Sequence, residues 1–503
     1  MKFIKRSLSL LLCLGMLLAC LAIGAQAKTC NCGMIPRIGI PGIGDSFYLN
    51  YGTPEQESVD VADTEALKAK IWPILKDVTS AIFLRSWDKA ADAFVTMAWA
   101  MLGHLQVDLE GKSVLPLTVR PNDDPTQAKD HEYFSFRYDW RLDPWDTAAN
   151  LNAYIQEVKQ VTGHSQVVLT PHSEGGMICM AYFARYGYGD VHTFIPSMSA
   201  HNGLTMVGEL ANRHVQLGWA EGVEYLRSIG AASDGMGSNG LMVPAANLLQ
   251  TSGIAEWLIG LLSILLEHVQ DRVYEEALIP LVMQWPAIWG FVPHEYYESA
   301  RNDLLADAKY ATLRKRADNL HYKAGAGYKA DTLIKNAVKA GVRVYVIASY
   351  GYPTQPFAPN ADIDADGLID TGRESSGGTT AGLFNRTLPA GYKQKIDDGH
   401  DHLSPDGKID ASTCLLPEHT WFIRGQLHFS GNTNQLRKAL MASPTYADVH
   451  SLKDYPQFLT AVSDGVFVIN EPVAAPPRPT LAGSVLDLNI AAGRWIWQEI
   501  TAK

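Results

Sequence analysis

The stretch 166–195 constrains this chain more than any other. Residues 166–170 form a short apolar run of strand type. Pro171-His172-Ser173-Glu174-Gly175-Gly176 then makes a tight turn, a helical pattern runs to about Tyr186, and 193–195 is apolar again. Strands joined through a helix pair in parallel, because a short hairpin returns the chain in the opposite direction. Upstream, 133–138 is aromatic and alternating. After it, Leu151, Tyr154, Ile155 and Val158 make an i, i+3, i+4, i+7 stripe that Asp146 caps and Gly163 stops. The fold class predicted is α/β, with a mostly parallel sheet covered by helices.

The texture then changes twice. From 203 to 335 helical patterns dominate, with Trp219, Trp257, Trp285, Trp289 and a long apolar run at 258–266. Residues 342–348 restore a buried strand. A helical insertion between two parts of a sheet predicts an inserted cap. The division expected is 1–27, an export signal; 28–202, the first half of the core; 203–335, the helical cap; 336–470, the second half of the core with an acidic loop; and 471–503, a proline-rich linker and terminal segment. In the cap, Trp257, Leu258, Leu261, Leu262, Leu265 and Leu266, with Trp285, Trp289 and Phe291, either line an acyl pocket or meet a lipid–water interface, or else bury one another.

The export signal is read from Lys2, Lys5 and Arg6, the apolar run 8–23 and the small residues Ala25-Gln26-Ala27, with cleavage expected near Ala27. Leu17-Leu18-Ala19-Cys20 offers a competing lipoprotein signal, but the apolar run continues past the cysteine. No other stretch reaches the ~18 apolar residues of a membrane span, so a secreted protein without a transmembrane segment is expected. A net charge of −11 over 503 residues, with Lys and Arg scattered, argues against a nucleic-acid partner. Cys30, Cys32, Cys179 and Cys414 are too few for a disulfide framework in a chain of this length.

Ser173 is the sharpest candidate for chemistry. A serine on a bend between a buried strand and a helix has its hydroxyl pushed above the sheet, and the helix behind it presents unpaired N–H groups. Such a nucleophile needs a base and a group to orient that base, which follow in the chain order Ser, Asp/Glu, His. Asp406, on a Ser-Pro-Asp-Gly loop, is preferred as the acid over Asp366 on a second Asp-Gly loop. His428 is preferred as the base over His419, with His400 and His402 read as surface histidines. The oxyanion donors expected are the N–H of Glu174 and the N–H of Ile43, on the turn Pro41-Gly42-Ile43-Gly44.

These pieces resemble the lecithin:cholesterol acyltransferase-like branch of the α/β-hydrolase fold, a group of lipases, phospholipases and acyltransferases. Pro41-Gly42-Ile43-Gly44 resembles the family's oxyanion turn, Tyr138-Asp139-Trp140-Arg141-Leu142 its most distinctive string, and His172-Ser173-Glu174-Gly175-Gly176 its nucleophile elbow. The strand entering Tyr350-Gly351-Tyr352-Pro353-Thr354, then Asp406-Gly407 with Ser412-Thr413, and His428, follow in the family's order. Pro171 departs from the usual glycine and Glu174 from a common apolar residue. The resemblance implies acyl transfer, with Ser173 attacking an ester carbonyl, His428 as base and Asp406 orienting it. The expectation is a secreted hydrolase of lipid carboxylic esters. An acyltransferase using an alcohol acceptor, and an inactive calcium-stapled lipid- or glycan-binding protein of the cell envelope, are the alternatives.

One constellation stands apart from the triad. Asp362, Asp364, Asp366 and Asp370 fall at positions 1, 3, 5 and 9 of a loop with Gly367 at 6, a spacing that wraps oxygens round calcium. Arg373 stands where the twelfth-position glutamate belongs, and Glu374 comes one residue late. A structural calcium is expected at this loop, and no cofactor for catalysis.

Overall fold

The computed structural model describes residues 34–490, apart from 45, 61–75, 77–83, 128–131, 217–221, 224, 228–241, 355–362, 383–385, 430, 431, 473–479 and 489. The export signal, Cys30, Cys32, Trp219, Asp362 and the terminal segment beyond 490 lie outside the described residues. So do the side chains of Trp257, Leu258, Leu261 and Leu262.

The chain builds a mixed α/β structure around a mostly parallel sheet. Its strands are β1 (Arg37–Ile40), β2 (Tyr133–Ser135), β3 (Val167–Ser173), β4 (Val191–Phe194), β5 (Ser197–Ser199), β6 (Arg343–Val344), β7 (Val346–Tyr350), β8 (Thr420–Arg424), β9 (Phe458–Ser463) and β10 (Val466–Ile469). The spatial order is β10-β9-β8-β7-β5-β3-β1-β2, and β4 and β6 pair beside β3. Every pairing is parallel except the β9–β10 hairpin. β4 and β5 are one run broken at Pro196: Phe194 and Pro196 carbonyls still accept the N–H groups of Tyr345 and Ile347. The central strands are buried along their length, as parallel strands covered on both faces must be.

The helices cover this sheet for reasons visible in their sequences. α1 (Trp87–Leu102) is an exception that packs on other helices, with Ala90, Ala91 and Ala93 buried. In α2 (Pro144–Thr162) the apolar stripe Leu151, Tyr154, Ile155 and Val158 faces inward. Its cap is Asp143, whose carboxylate accepts the Trp145 N–H at 2.9 Å, and not Asp146. Pro144 at the first helical position, where no N–H is needed, moves the start forward by a turn. Gly163 closes the helix in the left-handed conformation. α3 (Gly175–Tyr186) is buried from Gly175 to Phe183, as an apolar helix behind a central strand should be.

Among the described residues, 203–339 holds helices joined by turns and loops and no strand, with α4 (Thr205–Ala211), α5 (Met242–Ser252), α6 (Ile254–Val273), α7 (His294–Leu304), α8 (Ala311–Ala324) and α9 (Ala330–Lys339). This stretch shares the core of the sheet. Trp285, Ile288, Trp289 and Phe291 belong to the same buried cluster as Ile38, Leu169, Leu151 and Met177. Trp289 is 1% exposed. Of the readings of the apolar cap residues, these aromatics follow the last and are buried. Leu265 packs with Val269 against Ala90 and Ala91 of α1. After β7 come the short α10 (Thr371–Glu374) and, beyond β8, α11 (Asn434–Ala442). Cys179 and Cys414 are buried free thiols.

Candidate active site

β3 ends at Ser173 with φ +53°, and α3 begins two residues later. A left-handed φ on a residue with a side chain is strained, and here it turns the hydroxyl out of the sheet at a sharp bend. The bend needs glycine on both sides of it. A Cβ on Gly175 would overlap the Ile40 carbonyl of β1, and one on Gly42 would overlap Ser173 itself. The turn 41–44 therefore lies directly against the serine. The Tyr138 hydroxyl anchors it by donating to the Pro41 carbonyl at 2.6 Å.

Ser173 Oγ lies 3.0 Å from Nε2 of His428. Nδ1 of His428 lies 2.5 Å from Oδ2 of Asp366, and the His428 N–H donates to the Asp366 carbonyl at 2.9 Å. Ser173 and His428 are thus brought together as expected from the sequence, but the acid beside the histidine is Asp366 and not Asp406. The reason is topological. β7 and β8 are parallel neighbours, with Tyr350 opposite Arg424, so the loops leaving them open on the same side of the sheet. Asp366 rides on the loop after β7 and His428 on the loop after β8. Asp406 precedes β8 and serves a different cluster. It accepts from the Tyr350 hydroxyl at 2.9 Å and the Ser404 hydroxyl at 2.7 Å, with Arg424 at 3.7 Å.

His419 stacks on Tyr446 with ring centroids 3.9 Å apart, and its Nδ1 faces the Ala447 carbonyl, so it holds structure rather than the serine. His172 is the neighbour that sequence reading missed. Its ring stacks on His428 at 4.7 Å and its Nδ1 faces the Ser197 carbonyl. Burial, then the charges of His428 and Arg437, pull its pKa down to about 3, so it stays neutral under the base.

The acid has its own support. Oδ1 of Asp366 accepts the N–H groups of Leu368 and Ile369 at 2.9 and 2.7 Å. Burial alone would raise its pKa. The facing His428 and then the Ile369 N–H hold it below the usual carboxylate range. Glu374 is buried in α10. One of its oxygens accepts the Ser349 N–H at 2.7 Å, and burial and then Asp366 raise its pKa well above the usual range. The other Glu374 oxygen is buried without a hydrogen-bond partner, so Glu374 stands behind Asp366 as a second buried carboxyl beside the line Ser173–His428–Asp366. Its sequence signal was a glutamate four residues after Asp370, next to the loop that supplies the acid.

Glu174 follows the serine. Its carboxyl is fully buried, neither oxygen has a hydrogen-bond partner, and burial followed by Asp139 raises its pKa well above the usual range. It is a neutral acid behind the bend, while its N–H stands at the free start of α3. Arg141 secures Asp139 with Nε and Nη2 at 2.9 and 2.6 Å, reaches the Leu105 carbonyl and Ser113 hydroxyl, and lies over the Phe47 ring. The Tyr138–Leu142 string is a scaffold under the turn.

The described carboxylates of the calcium-like loop have partners of their own. Asp364 gives one oxygen to the Gly351 N–H at 2.6 Å and faces the Lys408 ammonium at 3.5 Å with the other. Asp366 holds His428. Asp370 accepts the Thr205 N–H at 2.8 Å. Asp370 Oδ1 is buried without a hydrogen-bond partner, and Asp362 lies outside the described residues. Asp366, Glu374 and His428 lie within ligand distance of one another, but their imidazole is taken up by Ser173 and Asp366.

No helix among the described residues is long and apolar enough to cross a membrane. Neither a protein-family model nor a curated protein matches this chain. Among solved structures it is matched to the crystal structure of the Tle4-Tli4 complex, at 12% identity and a TM-score of 0.24, over 64% of this chain and 75% of that one. A likeness of that size carries no argument about fold or activity.

Proposed function

We propose that this chain is a serine hydrolase of carboxylic esters, acting through an acyl-enzyme, with lipid esters as its substrate class. The observation that carries the reading is the line Ser173 Oγ–His428 Nε2–His428 Nδ1–Asp366 Oδ2, at 3.0 and 2.5 Å, on a strained bend. Nε2 takes the hydroxyl proton as Oγ attacks the carbonyl carbon. Asp366 fixes the tautomer and stabilises the imidazolium that results. The Glu174 and Ile43 N–H groups are the oxyanion donors in this reading. His428 returns the proton to the leaving alcohol, and water then releases the acid by the same path.

Two features support an apolar acyl group. Phe429, the residue after the base, is 77% exposed with its ring against His428. Ile43 and Leu368 flank the site half-buried, beside the oxyanion turn and the acid loop. The resemblance to the lecithin:cholesterol acyltransferase-like family points the same way. A series of p-nitrophenyl esters from short to long acyl chains tests the reading, together with fluorophosphonate labelling. Labelling at Ser173, abolished in Ser173→Ala, with turnover rising toward longer chains, is the expected result. A folded protein that is neither labelled nor active overturns it. Adding an alcohol acceptor and assaying free acid against new ester shows whether water or alcohol resolves the acyl-enzyme.

A further inference from the structure

Far from the serine, three surface segments bring histidines and carboxylates together. Asp398, His400 and His402 have ligand atoms within 4.8 Å of one another, and so do His400, Glu418 and His450; His400 is common to both groups. His400 Nδ1 stands 4.0 Å from Asp398 Oδ1 and 3.9 Å from Glu418 Oε1. Those gaps are too long for hydrogen bonds. They are close to the ligand–ligand spacing of about 3.4 Å that bonds of about 2.0–2.1 Å impose round a tetrahedral ion. The His450 ring lies 3.7 Å from that of His400.

The backbone holds these groups in place independently of any ion. Gln394 donates to the carbonyls of Ile396 and His400 and accepts the His402 N–H. The Val449 N–H donates to the Glu418 carbonyl, and the His450 N–H to Asp448. Buried His402 places Nε2 3.0 Å from Asp398 Oδ2 and turns Nδ1 toward Gln457 Oε1 at 3.4 Å. Hydrogen-bonded groups behind the ligands are the usual outer support of a metal centre.

We infer that this cluster binds one divalent ion of the zinc class, with His400, His450 and Glu418 as protein ligands and water in the fourth position, while Asp398, bonded to His402 and accepting the His400 N–H at 3.0 Å, holds His400 in place. Mixed imidazole and carboxylate donors suit zinc rather than calcium or magnesium, which take oxygen alone. Glu418 stands two residues before β8, and His428 lies four residues past that strand's other end. The five residues of the strand between them, at ~3.3 Å each, span about 16 Å. The ion is therefore a staple for three loops at the foot of β8 and takes no part in attack on the ester.

Zinc titration of the chelator-treated full chain against a chromophoric competitor tests this. One equivalent should bind and raise the thermal midpoint. Ser173→Ala should bind equally, because the site is separate from the serine. His402→Ala should weaken zinc by about 10–100-fold as an outer partner, and H400A/H450A by more than that. Cys30→Ser/Cys32→Ser should leave affinity unchanged. Absence of stoichiometric binding by the wild type overturns the inference, as does binding lost with the cysteines and kept without the histidines. If H400A/H450A does not fold, the visible spectrum of the cobalt-loaded wild type decides. Bands of a tetrahedral nitrogen–oxygen site support the inference, and thiolate charge-transfer bands or no bands overturn it.

Discussion

At the residue scale, Asp366 and Asp406 are the same residue type on loops of the same Asp-Gly form, and only one of them faces the base. Asp366→Asn leaves the geometry near native but removes the charge that orients His428, so kcat should fall by about 10⁴-fold. Asp406→Asn disturbs the Tyr350 and Ser404 hydrogen bonds instead, and should lower stability while the folded fraction keeps kcat within about tenfold. Ester turnover per folded molecule in the two variants checks this, and the reverse ranking would return the acid role to Asp406. Glu174 gives a prediction of a different kind. Its pKa is raised on folding from an ordinary 4.5, so the native state holds a proton that the unfolded state releases above that value. Its contribution is fully present below about pH 4.5 and declines as pH rises toward the raised value. Glu174→Gln keeps a neutral side chain of the same shape, and should flatten the fall in stability above pH 4.5 seen in wild-type denaturant titrations.

At the element scale, the site is made by ends of strands. β3 delivers Ser173, the exit of β1 delivers the oxyanion turn, the exit of β7 the acid and the exit of β8 the base. Because these strands are parallel, their exits share one edge of the sheet. The bend between β3 and α3 works only if β1 can approach closely, and this is why Gly42 touches Ser173. Gly42→Ala should displace the serine and the turn together and cost kcat/KM about 10²–10³-fold, the loss typical of one oxyanion donor. Circular dichroism of the variant should remain native, since the turn lies outside the strands. Loss of activity through unfolding would point to a packing role instead.

At the scale of the whole molecule, the helical stretch 203–339 is continuous with the sheet's core. Trp289 donates its indole N–H to the Met283 carbonyl at 3.0 Å and sits edge-on to Tyr297, among residues that also line α3. Trp289→Ala should therefore destabilise the entire molecule by about 3–5 kcal/mol, as loss of a buried large aromatic does. Denaturation followed by far-ultraviolet and tryptophan signals should show one transition moved as a unit. Two separated transitions, with only the first shifted, would mean that the helical stretch folds as an independent body.

Local sequence determined much of this on its own. The apolar period set α2, the run before Ser173 set β3, and the small residues round the serine marked the bend, because each depends on near neighbours in the chain. His428 was legible for a related reason, as a histidine just past an apolar strand. The acid was not legible, since two Asp-Gly loops satisfied the same order in sequence. Choosing between them required knowing that β7, not the segment before β8, empties beside the base. Nor were the partners of Asp364, Asp366 and Asp370 legible from their calcium-like spacing, because Lys408, His428 and the Thr205 N–H are all distant in sequence. Contacts within a turn or a strand are set by adjacent residues; a hydrogen bond between loops 62 residues apart, as in His428–Asp366, is set by strand order, which only the tertiary structure decides.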